Sequence, residues 1–355
     1  MKRGNRWIAL VTLTILLTTA ITAWARSSRP ARSREDLTLP SVTSLPVRHT
    51  PANRAQADHS SDGSAPTRQT GRWSASSDLD RFVTDPEALN AASALLMDAD
   101  TGAILFARRH MEQRSPASTT KIMTALLILE EGRLDDNAVI SERAAAAGGT
   151  GLGLRRGQRV MLRDLLWAIL LKSANDAAVA AAEHVGGSEE QFVARMNAKA
   201  AALGMSGTHF ANPHGLDDVG HYSTAYDLAI LTRQALRNST FARMVQTREA
   251  SLTVLTGRNG TAAKRKIVRT HNQLLGQFVG ADGVKTGYTA QAGRCLVASA
   301  TRGDHQLIAV LLNDSKRWVE AAALLEYGFA ALGGRLSDVG VSAEGPADML
   351  KGEGG

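Results

Sequence analysis

The chain has 355 residues, 44% of them hydrophobic and 21% charged, and a formal net charge of +7. That charge sits early: residues 1–25 hold +3 and residues 26–80 hold eight arginines against six acids, which leaves +2 for everything after. With no basic stripe interleaved with aromatics, nucleic acid is excluded as the partner, and the single cysteine, Cys295, excludes an intramolecular disulfide.

Lys2, Arg3 and Arg6 form a basic n-region ahead of an apolar run over residues 7–25, which closes on the small-x-small triplet Ala23-Trp24-Ala25. This reads as a secretory signal peptide, and as a signal anchor where the run, about long enough to span a bilayer, is retained. Either outcome exports the rest of the chain. Residues 26–80 hold five of the nine prolines among Ser, Thr, Arg and Ala, with no apolar periodicity, so a disordered linker is expected there. The folded domain is expected over residues 81–333. A flexible, Gly-rich tail over residues 334–355 is too weakly amphipathic to anchor a membrane.

Within the folded part, residues 94–98 and 103–107 flank Ala99-Asp100-Thr101-Gly102 and predict a β-hairpin, with Asp98 and Asp100 as turn formers. Beyond Pro116-Ala117, apolar residues at 122, 123, 125, 126 and 129 recur at helical spacing and put Ser118 at a helix start. Residues 162–171 read as a buried helix with Ser173 just past its end, and a further helix is expected over 177–184. Ser188-Glu189-Glu190-Gln191 is a capping box for a helix to Leu203, and Thr224 caps one through Leu236. Residues 283–287, 294–301 and 306–312 read as strands of one antiparallel sheet, closed by a helix over 318–332. Cys295 lies inside one of these apolar runs, as a buried structural thiol would.

Three strings carry the chemistry: Ser118-Thr119-Thr120-Lys121, Ser173-Ala174-Asn175 and Lys285-Thr286-Gly287. A serine with a lysine three residues on, a second hydroxyl with an amide, and a second lysine suffice for acyl transfer without histidine. A Ser-x-x-Lys pattern arises about once by chance in a chain this long, so the order and placement of all three strings carry the reading. Lys121 acts as a base only when neutral. Lowering its pKa from about 10.4 to about 7 requires roughly 4–5 kcal/mol against the ammonium, from burial and from a second cation, Lys285. At a helix N-terminus the backbone N–H of Ser118 also points outward, as an oxyanion donor should. His214 and His221 are not at a zinc-binding spacing and have no Cys or His pair to support them. The segment His214-Gly215-Leu216-Asp217 is expected to be a loop whose polar groups brace the site.

These strings and their flanks resemble the D-alanyl-D-alanine carboxypeptidases, the low-molecular-mass penicillin-binding proteins of the serine peptidase group. The likeness runs through residues 116–125, 173–177, 212–217, 282–289 and 292–300, and spans about residues 91–329. It implies a mixed α/β (α+β) fold of the penicillin-binding-protein/β-lactamase-like transpeptidase type: an antiparallel sheet flanked by helices, plus a helical subdomain. It also implies roles. Ser118 is acylated by the penultimate D-alanine of a peptidoglycan stem peptide ending in D-Ala-D-Ala, and Lys121 takes its proton. Ser173 relays a proton to the leaving group, and Asn175 holds the substrate amide carbonyl. Lys285 biases the electrostatics, and the strand at Thr286-Gly287 pairs with the extended peptide. The N–H groups of Ser118 and Tyr288 form the oxyanion hole, and Arg317 binds the substrate carboxylate, where a cation is also required on chemical grounds. The resemblance implies no metal or other cofactor, β-lactams as covalent inhibitors, and a place in the bacterial periplasm or on the outer face of the cytoplasmic membrane.

Two features depart from the pattern. Many relatives carry a second, β-rich domain and a C-terminal amphipathic anchor helix, for neither of which residues 334–355 are long enough, so any membrane tether is expected through the N-terminus. Tyr288 stands where some relatives have histidine, so their pH behaviour does not transfer. Three rivals are weighed against this reading. A class A β-lactamase shares the motif order but needs a glutamate to activate the deacylating water, and residues 210–218 contain none. A D,D-endopeptidase differs only in substrate. A catalytically silent cell-wall-binding module would not need the nucleophile and proton-transfer groups retained here.

Overall fold

The computed structural model describes residues 88–256 and 261–333; the expected signal segment, linker and tail lie outside these residues. The hairpin forms as β1 (Ser93–Asp98) and β2 (Ile104–Arg108), its turn held by Asp98 Oδ1, which accepts from the N–H groups of Asp100 and Thr101. A 3-10 turn (Ala117–Thr120) leads into α1 (Lys121–Glu131), followed by β3 (Asn137–Val139), α2 (Glu142–Ala146) and β4 (Arg159–Met161). Next come α3 (Leu162–Trp167), α4 (Asn175–Gly186), α5 (Glu189–Ala202), α6 (Ala225–Leu236) and α7 (Ser239–Val245). Two of these begin at the expected caps: Ser188 Oγ accepts from Gln191 N, and Thr224 Oγ1 from Asp227 N. The chain then turns extended as β5 (Glu249–Thr256), β6 (Ala262–Arg269), β7 (Ala281–Thr289), β8 (Gly293–Arg302) and β9 (His305–Leu312), and closes on α8 (Arg317–Leu332).

The main sheet is antiparallel throughout in the order β2-β1-β9-β8-β7. Its centre joins the two ends of the domain, with Ser93 opposite Leu312 and Asp98 opposite Leu307. Both faces are covered. Leu95, Met97, Val297, Ile308 and Val310 pack against the helical layer, while Leu96, Leu296, Ala298, Leu307 and Leu311 pack under α8. Burial on both sides explains why these strands read as nearly continuous apolar runs rather than alternating ones. The arrangement is three layers with the sheet in the middle, and it leaves β7 as an open edge.

Local geometry differs from expectation in three places that matter. Ser118 belongs to the 3-10 turn, and the α-helix begins only at Lys121. The buried helix expected over 162–171 is α-helical only to Trp167, continues as a π-helical turn (Ala168–Lys172), and stops on Ser173 in the left-handed region, φ 61° and ψ 33°. The next helix starts at Asn175, two residues earlier than expected. A second antiparallel sheet, β3-β4-β5-β6, was not among the expected elements. Its first two strands are three residues long, and the exposed run Lys264-Arg265 on β6 lacks apolar alternation.

Candidate active site

The turn carrying Ser118 is held by its own hydroxyls. Thr119 Oγ1 donates to Pro116 O at 2.6 Å, and Thr120 Oγ1 donates to Ala117 O at 2.8 Å. In a 3-10 turn residues i and i+3 eclipse, so Lys121 stands directly against Ser118, its Nζ 3.0 Å from Oγ. The same Nζ donates to Asn175 Oδ1 at 2.7 Å and to His214 O at 2.5 Å. Both of these partners can only accept. They therefore hold two N–H bonds, and the third position of the amine, its lone pair once neutral, faces Ser118. Lys121 is wholly buried, which pushes its pKa well below 10.5, and the Lys285 charge lowers it further against an opposing pull from Asp176. Of the two causes, burial thus outranks the second cation.

Lys285 joins the second string to the third. From β7 its Nζ donates to Ser173 Oγ and to Thr286 O, each at 2.9 Å. It is 2% exposed, and burial followed by repulsion from Arg317 lowers its pKa to about 7. The left-handed turn at Ser173 aims that hydroxyl at Lys285. Asn175 is fixed on three sides: its N–H donates to Thr150 O, its Nδ2 to Gly148 O, and its Oδ1 receives Lys121. Asp176, beyond the residues singled out as catalytic, braces the same wall by accepting the N–H groups of Leu152 and Leu154 at 2.9 and 3.0 Å.

Further contacts come from the loop between α5 and α6. Thr124 Oγ1 donates to Pro213 O, and Asn212 Oδ1 accepts from Gly215 N at 2.7 Å, which presents the His214 carbonyl to Lys121. Gly215 has φ +83°, and a Cβ there would overlap the Ala117 carbonyl, so no side chain fits. His221 ties this loop to the turn carrying Ser118. Its Nδ1 accepts from Ala211 N at 3.0 Å, so the proton sits on Nε2, which donates to Thr120 Oγ1 at 2.8 Å. Burial holds both rings neutral, lowering His221 to about 4 and His214 to about 3. No spacing signal marked His221, because its role depends on a contact with Thr120, 101 positions away.

The edge strand closes the site. A Cβ on Gly287 would come within 3.0 Å of Ala117 Cβ and 3.1 Å of Ser118 N, so glycine is what lets β7 lie this near the turn carrying Ser118. Tyr288 follows with its side chain turned out, 66% exposed. Arg317, the first residue of α8, donates from Nη1 to Gly287 O and Cys295 O at 3.0 and 3.2 Å, and its Nε has no partner among the described residues. Cys295 is fully buried and its thiol is pushed up to about 11, so it is not a thiolate. Among the described residues there is no group of three or more His, Cys, Asp or Glu able to hold a metal ion.

Arg317 is carried by a buried acid pair. Asp314 and Glu320 are both 0% exposed; Glu320 accepts from Asn90 and Ala91, and Asp314 from Lys316 N. Burial first, then the Glu320 charge, raises Asp314 to about 7. The folded state therefore prefers the protonated acid. Its stabilisation is complete below the unfolded value near 4 and is lost as pH rises through about 7. The melting temperature is expected to fall between pH 5 and pH 8, and Asp314→Asn should flatten that fall; an unchanged slope in the variant would remove Asp314 as its source.

An antiparallel sheet between helical layers, with a Ser-x-x-Lys turn, a Ser-x-Asn turn and a Lys-Thr-Gly edge strand meeting at one point, has the architecture of the penicillin-binding proteins. The chain belongs to the D-alanyl-D-alanine carboxypeptidase family, whose model matches residues 80–316. It is 40% identical over 255 residues to the D-alanyl-D-alanine carboxypeptidase DacF of Bacillus subtilis (strain 168), covering 70% of this chain and 64% of that one. Its identity to DacD of Escherichia coli (strain K12) is 38% over 262 residues, 70% of this chain and 65% of that protein. The chain thus spans just under two thirds of the length of these two relatives. The crystal structure of the Streptomyces K15 DD-transpeptidase is similar at a TM-score of 0.64 and 32% identity, over 68% of this chain and 98% of that one.

Proposed function

We propose that this chain is an exported serine-type D-Ala-D-Ala carboxypeptidase that trims the terminal D-alanine from peptidoglycan stem pentapeptides through an acyl-enzyme on Ser118. The observation that carries this is the Lys121 amine: 3.0 Å from Ser118 Oγ, buried, and with its other two bonds committed to acceptors. Ser118 Oγ attacks the carbonyl of the penultimate D-alanine while Lys121 takes its proton. The oxyanion is received by the N–H groups of Ser118 and Tyr288. The C–N bond then breaks, the leaving amine takes a proton by way of Ser173, which Lys285 contacts, and D-alanine departs. Water attacks the ester with Lys121 again as base, restoring the serine. Asn175 holds the substrate amide, the β7 edge at Thr286 and Gly287 pairs with its backbone, and Arg317 with Lys285 receives its carboxylate.

The same attack opens a β-lactam ring. Its leaving amine stays tethered to the acyl group, and the loop carrying His214 offers no glutamate to drive its hydrolysis. Slow release of penicillin is therefore expected, and rapid turnover by the purified protein would instead mark a β-lactamase. The direct test is product analysis on a pentapeptide ending in D-Ala-D-Ala. Stoichiometric free D-alanine is the expected result. Cleavage of cross-linked dimers without D-alanine release from the pentapeptide would make the protein an endopeptidase.

A further inference from the structure

Arg317 is set beside the cleft by backbone carbonyls rather than by an acid. Its Nη1 is taken up by Gly287 O and Cys295 O, and its guanidinium lies 4.8 Å from the centre of the Trp318 ring. Asp314 acts on it through charge, with no hydrogen bond between them. Two carboxyl groups nevertheless lie fully buried behind it, and their bonding is unequal. Glu320, one helical turn along α8 from Arg317, takes three donors: Asn90 N and Nδ2 at 2.8 and 2.7 Å on one oxygen, and Ala91 N at 3.2 Å on the other. Asp314 accepts from Lys316 N on Oδ1 at 2.7 Å, while its buried Oδ2 receives no donor among the described residues. Asp314 also hydrogen-bonds Glu320. An oxygen without a donor, next to a fully bonded carboxylate, is the arrangement of a carboxyl that carries its own proton and donates it.

That proton decides how much negative charge stands behind Arg317. With Asp314 protonated the pair carries one charge, already engaged by Asn90 and Ala91, and Arg317 keeps its full attraction for an incoming anion. With both acids ionised, a second buried carboxylate faces Arg317 where water screens little, and it competes with the ligand. The other charged groups around the pair are engaged elsewhere. Lys316 is exposed and meets Asp314 through its backbone, Arg294 on β8 donates to Ser315 O, and Arg108 on β2 donates to Ala91 O. Cys295, the remaining titratable neighbour on β8, is not a thiolate. We propose that Asp314 is a positioning residue for the carboxylate site, and that the proton it shares with Glu320 keeps Arg317 available to the terminal carboxylate of the substrate. This role rests on the carboxypeptidase reading above, in which Arg317 receives that carboxylate. Loss of the proton at about pH 7 then makes recognition of the carboxylate pH-dependent, weaker on the alkaline side.

The test follows D-alanine release from Nα,Nε-diacetyl-L-Lys-D-Ala-D-Ala between about pH 6 and about pH 8.5, with the full chain, wild type against Asp314→Asn. Asparagine has the shape of the protonated acid, keeps the bond from Lys316 N and donates to Glu320 at every pH. Lys285 loses charge over the same range in both proteins, so the comparison between them isolates Asp314. The readout is KM, which does not depend on the amount of folded protein. The two KM values should agree at the acid end. At the alkaline end the wild-type KM should exceed that of the variant by about tenfold, as the loss of one hydrogen bond to a charged group gives, with kcat equal in the two. An acetamidoethylboronic acid, which engages Ser118 but carries no carboxylate, should inhibit both proteins alike across the range. Coincident KM profiles on the peptide, or a gap between the proteins that persists with the boronic acid, would overturn the role of Asp314 while leaving the carboxypeptidase reading intact. Absence of D-alanine from both proteins at every pH would overturn that reading itself.

Discussion

Ser118→Ala is expected to remove D-alanine release to background, a loss of at least about 10⁴-fold, and to abolish the mass increment left by benzylpenicillin. Every covalent step passes through Ser118 Oγ, and removing a nucleophile costs more than the remaining binding and oxyanion contacts recover. Stability should change little. Ser118 Oγ has Lys121 as its hydrogen-bond partner, and Lys121 keeps Asn175 Oδ1 and His214 O when the hydroxyl is gone. A melting temperature near that of the wild type would separate lost chemistry from lost folding. A penicillin adduct persisting in the alanine variant would show that another group is acylated.

Lys121→Ala should slow acylation by roughly 10³-fold, the middle of the range for loss of a general base. Lys121→Arg is the sharper variant, because a guanidinium keeps the charge and never deprotonates. If the amine serves as a base, arginine fails as badly as alanine; if it serves only as a cation, arginine rescues. The pH dependence has a definite sign. Below its lowered pKa Lys121 is an ammonium that donates to Ser118, and only the neutral form accepts the serine proton. Penicillin acylation should therefore rise with pH through that lowered value, and Lys121→Ala should lose this rising limb. An identical pH profile in the variant would exclude Lys121 as the titrating base.

Local signals were readable wherever the physics is local. Helix caps at Ser188 and Thr224 need only a hydroxyl three residues ahead of an N–H, and both formed as expected. The hairpin and the three C-terminal strands announced themselves through apolar runs bounded by turn residues. The second sheet did not, because its short strand β4 is held by pairing with a strand far later in the chain, Arg159 opposite Leu255, 96 positions away. Helix type also lay beyond reach. The π-helical turn before Ser173 is a backbone adjustment that composition does not encode, and it leads directly into the residue whose hydroxyl meets Lys285.

The residue types, their order and the family resemblance were enough to name Ser118, Lys121, Ser173, Asn175 and Lys285 as a set. Those properties survive in a linear string because acyl transfer demands particular functional groups. Their mutual geometry is another matter. The Lys121 amine is directed by Asn175 Oδ1, 54 positions away, and by the His214 carbonyl, 93 positions away. Its lowered pKa comes first from burial, which exists only once α1 is enclosed by the packed core. The bracing by His221 and the bonds from Asn90 and Ala91 to Glu320 likewise depend on contacts between distant segments. Distance, burial and charge coupling belong to the folded chain, because each is set by neighbours that sequence order does not bring together.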